Sequence, residues 1–415
     1  MSNPSDVLII GGGAIGIAAA YYLQESGRQV TVLEQNEIAS GSSFANAGLI
    51  VPSHAIPLAS PGVIADGLRW MFDKQSPFYI KPRLDLDLIS WIWKFYRNCR
   101  PAQMLAGFQT LKKIGFESLA MMQHLVESES LNCDFQQQGW LMAYRSPHAF
   151  AHGVDETQFM QSHGVEAQIL NQQDTLSFEP FLREDIHGSI FFPKEAHLNP
   201  SQFVTTLADR IQTRGGSIHT HTQALELIDQ NGRIERIITD QGEFTAEDVL
   251  ITNGAWAHQF LKKLGLPIAL QPAKGYSISF PNLPLMPQRP LYLSEDKVAV
   301  TPFTNHLRLA GTLELSGMDL RIDPQRIAGI KKAGTRFMQL SGAEETTEPW
   351  AGLRPCTPDG LPIIAPISQV QNLFLSTGHA MMGITLAPFT GNLLAQLLNR
   401  QAPSMNLAPF ALDRF

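Results

Sequence analysis

The sequence predicts an α/β chain, with a Rossmann-like parallel sheet assembled from separated segments and a discontinuous antiparallel-sheet second domain. Three observations predict it. A strand, a glycine-rich turn, a helix and a second strand follow one another between Asp6 and Glu34. A meander-like stretch from Gly216 onward ends in a buried strand, Asp248 to Thr252, that returns to the first sheet. A second strand–turn–helix pattern lies near the C-terminus, in LFLSTGHAMMGITLAPFTGNLLAQLLNR. With 415 residues the chain is long enough for two domains.

The first element is DVLIIGGGAIGIAAAYYLQESGRQVTVLE. Val7 to Ile10 read as a buried strand, Ala14 to Glu25 as a helix rich in small residues, and Gln29 to Leu33 as the next strand. In the turn, Gly11 permits the tight reversal, Gly13 lets a pyrophosphate approach the backbone, and Gly16 lets the helix pack on the strand. Phosphates then face free N–H groups and the positive end of the helix, which begins at Ala14 and Ile15. Glu34, followed by Gln35, ends the second strand, where a carboxylate accepts hydrogen bonds from a ribose diol. The order of strand, turn, helix, strand and acid implies a bound dinucleotide. This segment does not distinguish NAD from FAD.

The following stretch, IASGSSFANAGLI from Ile38 to Ile50, is crowded with small and hydroxylated residues that let a chain hug a ligand. Ser40, Ser42, Ser43, Asn46, Ala47, Gly48 and Leu49 are its candidate contacts, against the plainer reading of a solvent loop. Two strands, SIHTHTQALELI and GRIERIITD, hinge at Asp229–Gly232. Asn253 and Gly254, after the returning strand, are placed to meet the dinucleotide. In the C-terminal pattern Leu373 to Ser376 form a strand, Gly378 to Gly383 a turn, and Thr385 to Leu398 a helix, with Pro388 and Gly391 early in it.

GGGAIG, SSFANAGLI, GLRPCTPDG and STGHAMMG, in that order, resemble the FAD-dependent D-amino-acid oxidase/dehydrogenase superfamily. SFANAGLIVPSHAIPLASPG and QPAKGYSISF are similar to its bacterial D-amino-acid dehydrogenase small-subunit branch. The resemblance covers essentially the whole chain and implies a glutathione-reductase-type FAD-binding domain. It places Gly11, Gly13, Gly16 and Glu34 on the ADP half of FAD, Ala224 near the adenine and Gly254 near the pyrophosphate. Asn46, Gly48, Met382, Gly383, Ile384 and Thr385 would surround the flavin ring, with Gly378 and His379 in the adjoining turn. Some relatives tether the flavin to a cysteine at the position of Gly352, so FAD is expected to be non-covalent here.

The resemblance also sets Arg354 against a substrate carboxylate. A planar guanidinium makes two parallel hydrogen bonds to a carboxylate, which suits this role. The plainer reading is an ion pair with Asp359 or Glu348. Tyr276, His379 and His54 are the other candidate catalytic positions; Tyr292 and Arg308 read as sheet surface. The implied reaction is oxidative deamination of D-amino acids, with electrons passing to a quinone or another acceptor than oxygen. Rival readings are an enzyme of cyclic or secondary amino acids, an oxidase, or a non-catalytic FAD-binding subunit.

Net charge of −7 argues against nucleic acid as partner. Three separated cysteines suit a reducing compartment, and no metal-ligand spacing is present. The N-terminal residues lack the features of a secretory signal, and no uncharged apolar run approaches the ~20 residues needed to span a bilayer. The stretch from Gly67 to Arg100, with Trp70, Phe72, Phe78, Tyr79, Trp91, Trp93, Phe95 and Tyr96 among basic residues, suits a membrane interface. It equally suits a core helix or a dimer contact, and Asp85 and Asp87 oppose deep insertion. The expected location is cytoplasmic, or peripheral on the inner face of the membrane. The expected division gives residues 1–52, 100–132, 196–270 and 350–415 to the FAD-binding domain, and 133–195 and 271–349 to the substrate domain. Residues 53–99 form the aromatic and basic segment between them.

Overall fold

The computed structural model describes residues 5–63, 78–340 and 346–415. Two large sheets organise it. The first has six strands in the order Ile363–Pro366, Leu373–Thr377, Ala246–Ile251, Ser5–Ile10, Val30–Leu33, Ser217–His219. All neighbours in it are parallel except the first pair. Its inner strands read as continuous apolar runs because both faces are covered. Val7, Leu8, Ile9, Val249, Leu250 and Ile251 are fully buried.

Helix Ala14–Glu25 packs along one face against helix Gly383–Leu398. Small residues permit this: a Cβ added at Gly391 would lie 2.6 Å from the Ala18 carbonyl carbon. Pro388 sits inside the second helix, and the neighbouring Phe389 N–H donates to Ser118 Oγ of helix Pro101–Ser128 at 3.2 Å. The meander is a separate three-stranded antiparallel sheet, Ala224–Gln230, Arg233–Thr239 and Gly242–Phe244.

The second large sheet has nine strands. Its order runs Trp350–Cys356, Gln271–Pro281, His306–Leu315, Val298–Phe303, Leu291–Leu293, Trp140–Tyr144, Gly188–Phe192, Gln168–Asn171, and Phe78–Ile80 pairs in parallel with His306–Leu315. Helix Pro324–Phe337 covers one face; the other looks toward the six-stranded sheet across a cavity.

Two expectations about boundaries change. Strand Trp350–Cys356 was assigned with the FAD-binding segments, but it pairs along its length with Gln271–Pro281, so it edges the nine-stranded sheet. The chain therefore leaves that sheet only after Cys356. The aromatic segment is not separate either, since Phe78–Ile80 joins the same sheet. Trp70 and Phe72 lie outside the described residues.

Helix Leu86–Asn98 follows, capped by Asp85, which accepts from the Leu88 N–H at 3.1 Å. Leu88 and Trp91 are buried, whereas Leu86, Ile89, Trp93 and Tyr96 are exposed. Trp91 stacks on Phe95 and donates from Nε1 to the Cys356 carbonyl at 2.9 Å. Among the described residues, no helix is long and apolar enough to cross a membrane.

Candidate active site

A cavity of about 1320 Å³ runs between the two large sheets, from the glycine-rich turn to the face of strand Trp350–Cys356. Its outer end is built by glycines that a side chain would wreck. Gly11 has φ +119°, and a Cβ there would fall 2.8 Å from the Thr252 carbonyl. At Gly16 a Cβ would lie 2.0 Å from the Gly11 oxygen, so this glycine seats the helix on the turn itself rather than on the strand. Thr252 closes the arrangement by donating to the carbonyls of Ile10 and Gly11, both at 3.1 Å.

Gly13 precedes the helix with no side-chain cap. The Ala14 N–H donates to Ser43 Oγ at 3.0 Å. The Glu34 carboxylate accepts the Gly12 N–H at 2.8 Å and the Asn36 N–H at 3.0 Å. It therefore braces the turn and retains lone pairs for a ribose hydroxyl.

The small-residue loop is shaped by polar groups that sequence reasoning offered to the ligand. Asn46 Nδ2 donates to the Ser42 carbonyl at 3.1 Å, and Asn46 Oδ1 accepts the Gly48 N–H at 2.8 Å. Ser42 Oγ donates to the Leu353 carbonyl at 2.6 Å, tying the loop to the strand that carries Arg354. Gly48 has φ +69° and would drive a Cβ to 2.2 Å from the Leu198 oxygen. By contrast, Ser40 Oγ and Asn253 Oδ1 are buried beside the cavity with no partner among the described residues. Buried polar atoms without partners fit a polar ligand lying along this wall.

Arg354 stands at the inner end. Its guanidinium is enclosed by protein yet reaches the cavity, and burial lowers its pKa from the usual arginine range. Nη1 donates to the Thr312 carbonyl at 2.9 Å. Among the described residues no carboxylate pairs with it: Asp359 is taken by Arg414 at 2.7 Å. Tyr292 lies nearby on the same wall, its phenol pKa pushed well above the usual range by burial and lowered in turn by the Arg354 charge.

His54 packs edge-on against Trp140, with ring centroids 5.4 Å apart, and at 5.9 Å from Tyr292. Burial pulls its pKa down to about 4, and Lys297 adds to that. His379 pairs with Thr390 Oγ1 at 3.1 Å, and burial lowers its pKa to about 3. Both imidazoles are neutral at physiological pH and are poor bases. They shape the cavity wall.

The structure gathers most of the expected contacts. Gly11, Gly13, Ala14, Ile15, Glu34, Gln35, Ser40, Ser42, Ser43 and Asn46 line the cavity. So do Ala47, Gly48, Leu49, Ala224, Asn253, Gly254, Met382, Gly383 and Ile384. Three expected contacts stand behind the wall. Gly16 is consumed by turn packing, and a Cβ at Gly378 would lie 2.6 Å from Thr357 Cγ2. Thr385 Oγ1 donates to the Leu49 carbonyl at 3.2 Å.

Tyr276 borders the cavity, but its ring is placed differently from expectation. Strand alternation turns its ring away from Arg354 into the apolar layer under helix Pro324–Phe337. There its hydroxyl donates to Glu314 Oε2 at 2.9 Å. Tyr292 and Arg308, read as sheet surface, are both inside. Tyr292 faces the cavity, and Arg308 is buried beneath the loop. The alternation of LYL carried the signal for Tyr292, because its two leucines are fully buried on the opposite face.

A long cavity with a phosphate cradle at one end and an enclosed guanidinium at the other is what an extended dinucleotide with a reacting ring requires. That places the chain among dinucleotide-dependent oxidoreductases. A family model described as FAD dependent oxidoreductase matches residues 6–397, and the chain belongs to that family. Its cofactor is FAD.

The D-amino acid dehydrogenase of Vibrio atlanticus is 32% identical over 99% of this chain and 100% of that one. That of Bradyrhizobium diazoefficiens is 30% identical over 99% and 98%. Among solved structures, glycine oxidase from Geobacillus kaustophilus shares the fold with a TM-score of 0.81 at 23% identity, covering 100% of both chains. L-Proline dehydrogenase from P. horikoshii does so with a TM-score of 0.75 at 17% identity, covering 100% of this chain and 98% of that one.

Proposed function

We propose that this chain oxidises D-amino acids to 2-oxo acids and ammonia, passing the electrons to a quinone or similar acceptor. The observation that carries the reading is Arg354, a guanidinium held at the inner end of the cavity without an acidic partner among the described residues. Among the described residues only one of its five N–H groups is engaged, by the Thr312 carbonyl, which leaves a fork for a carboxylate. The dehydrogenase names of the full-length relatives support D-amino acids as the substrate class.

FAD, held without a covalent tether by the glycine turn, Glu34 and the loop from Ser40 to Leu49, supplies a two-electron acceptor for the Cα hydride. Arg354 binds the carboxylate and fixes Cα, and Tyr292 offers its hydroxyl to the same group. The amine enters neutral, so that its lone pair assists departure of hydride from Cα. The resulting imino acid takes up water and releases ammonia. With His54 and His379 neutral and weakly basic, the ammonium proton is lost to solvent before the step.

Anaerobic mixing of the yellow protein with a panel of amino acids tests the reading. The panel contains D- and L-enantiomers, prolines, hydroxyprolines and sarcosine. Bleaching by D-amino acids, with faster reoxidation by a quinone than by oxygen, is the expected outcome. Bleaching only by cyclic or N-methyl substrates would move the substrate class, and no bleaching at all would remove the reading.

The exposed side of helix Leu86–Asn98, with Leu86, Ile89, Trp93 and Tyr96, suits peripheral contact with the inner face of a membrane. Neither acid on the helix opposes this, because Asp85 caps it and Asp87 pairs with Lys262 at 2.7 Å. Co-sedimentation with anionic vesicles checks it; protein left wholly in the supernatant would exclude it.

A further inference from the structure

Arg354 and Trp350 do not stand up from their strand. Each lies flat over a glycine. A Cβ at Gly275 would fall 2.0 Å from Arg354 Nη1, 2.4 Å from Cζ and 2.4 Å from Nη2. One at Gly352 would fall 2.2 Å from Trp350 Cη2 and 2.7 Å from Cζ2. These two glycines are directly opposite one another in the ladder, Gly275 against Gly352, between the pairs Ala273–Arg354 and Ser277–Trp350. They lie on the cavity face, about 5 Å apart as cross-strand partners are.

The next strand adds a stop. Register between Gln271–Pro281 and His306–Leu315 slips between Lys274 and Tyr276. In that slip Thr312 takes φ +69°, a conformation a β-branched residue rarely adopts. Its carbonyl accepts Arg354 Nη1 at 2.9 Å. The guanidinium is thus held from below by an absent side chain and from the side by a carbonyl turned out of the ladder.

We propose that the Gly275–Gly352 pair is a two-place seat, with Gly275 setting the angle of Arg354 and Gly352 laying Trp350 down as the wall that selects the substrate side chain. The proposal rests on the carboxylate role of Arg354. Neither glycine touches the reacting atoms; Gly275 is a positioning residue and acts through the arginine. Because both seats are on one rigid ladder, the carboxylate and side-chain subsites are fixed relative to each other. A free amino acid carries these two groups on one Cα.

The test uses the FAD-loaded protein, with propionate binding by titration calorimetry beside kinetics. Gly275→Ala is expected to lower kcat/KM about a hundredfold for every amino acid and to weaken propionate comparably, with FAD still bound. Gly352→Ala is expected to change the ratio of kcat/KM between D-alanine and D-phenylalanine about tenfold and to leave propionate affinity within about twofold. Arg354→Lys with Gly275→Ala should be no worse than Arg354→Lys alone, since the clash is with the guanidinium.

That double variant also decides the matter if Gly275→Ala alone does not fold: recovery of folding by the double supports the seat. Multiplied losses in the double variant, or wild-type propionate affinity in Gly275→Ala, would overturn it. If the wild-type protein binds no propionate and Arg354→Lys changes nothing, the carboxylate reading fails instead.

Discussion

The Arg308 guanidinium donates from Nη1 to the Asn46 carbonyl at 3.1 Å, joining the antiparallel sheet to the loop that follows the nucleotide-binding turn. Nε reaches Ser279 Oγ at 3.3 Å, and the guanidinium carbon stands 4.9 Å from the centre of the Phe303 ring. Burial lowers its pKa only to about 10, so it stays charged at neutral pH. One residue on, Thr301 Oγ1 donates to the Ala47 carbonyl at 2.6 Å. The ligand-facing shape of this loop is imposed from the other sheet.

Arg308→Met should therefore act at a distance. A hydrogen bond from a charged group contributes about 1.5–3 kcal/mol, and its loss frees the Asn46–Gly48 backbone. The FAD dissociation constant is expected to rise on the order of tenfold, with a fall in Tm, as measured by flavin fluorescence on dilution and by melting. Wild-type retention of FAD would mean that Thr301 and Asn46 Oδ1 hold the loop unaided.

In the proposed FAD site Glu34 would have a double task, bracing the turn and accepting from the ribose, and two substitutions separate its parts. Glu34→Ala leaves the Gly12 N–H without its acceptor, at a cost of about 1–3 kcal/mol, and also removes the ribose acceptor. Glu34→Gln keeps one acceptor for Gly12 and loses the negative charge. FAD affinity is expected to fall in the order wild type, Gln, Ala. Equal affinity of the two variants would assign the whole effect to the ribose side.

The phosphate end was legible from sequence because its chemistry is local. Strand, turn, helix and acid lie within Asp6 to Glu34, and Gly16 packs on the Gly11 oxygen of the same turn, although the space at Gly11 is limited by Thr252 on a distant strand. The reacting end is non-local. Tyr276 and Tyr292 are both strand tyrosines, and only the register and the covering helix decide which one faces the cavity. The role of Gly275 was equally hidden, because the side chain that needs its space is 79 positions away in sequence and one strand away in the fold. Strand Trp350–Cys356 was misassigned for a related reason: its apolar pattern fits either sheet, and pairing partners do not show in a single sequence.

Arg354 and Tyr292 should differ in kind. Arg354→Lys retains charge and loses the planar fork, so kcat/KM is expected to fall by roughly a hundredfold, mostly in orientation. Tyr292→Phe removes one neutral hydroxyl, for which about 0.5–1.5 kcal/mol and a several-fold rise in KM are expected. Both variants should keep FAD. Steady-state kinetics with a D-amino acid check this, and a Tyr292→Phe enzyme with unchanged KM would take the phenol out of the substrate site.

Glu195 offers a pH test of the cavity's back wall. It is 1% exposed, accepts the Ser53 N–H at 3.2 Å through Oε1, and has no partner for Oε2 among the described residues. Burial raises its pKa from 4.5 to about 8, opposed by its hydrogen bonds to Ser53. Between those two pH values the folded protein keeps a proton that the unfolded chain has released. Stability therefore falls as pH rises through that window, and the penalty is complete above it. Glu195→Gln preserves the acceptor for Ser53 and has no proton to lose. Its gain over wild type should be close to nil near the lower limit and reach on the order of a few kcal/mol near the upper one. Melting curves of both proteins across the range measure the difference, and a gain that does not change with pH would mean that Glu195 is not the group being titrated.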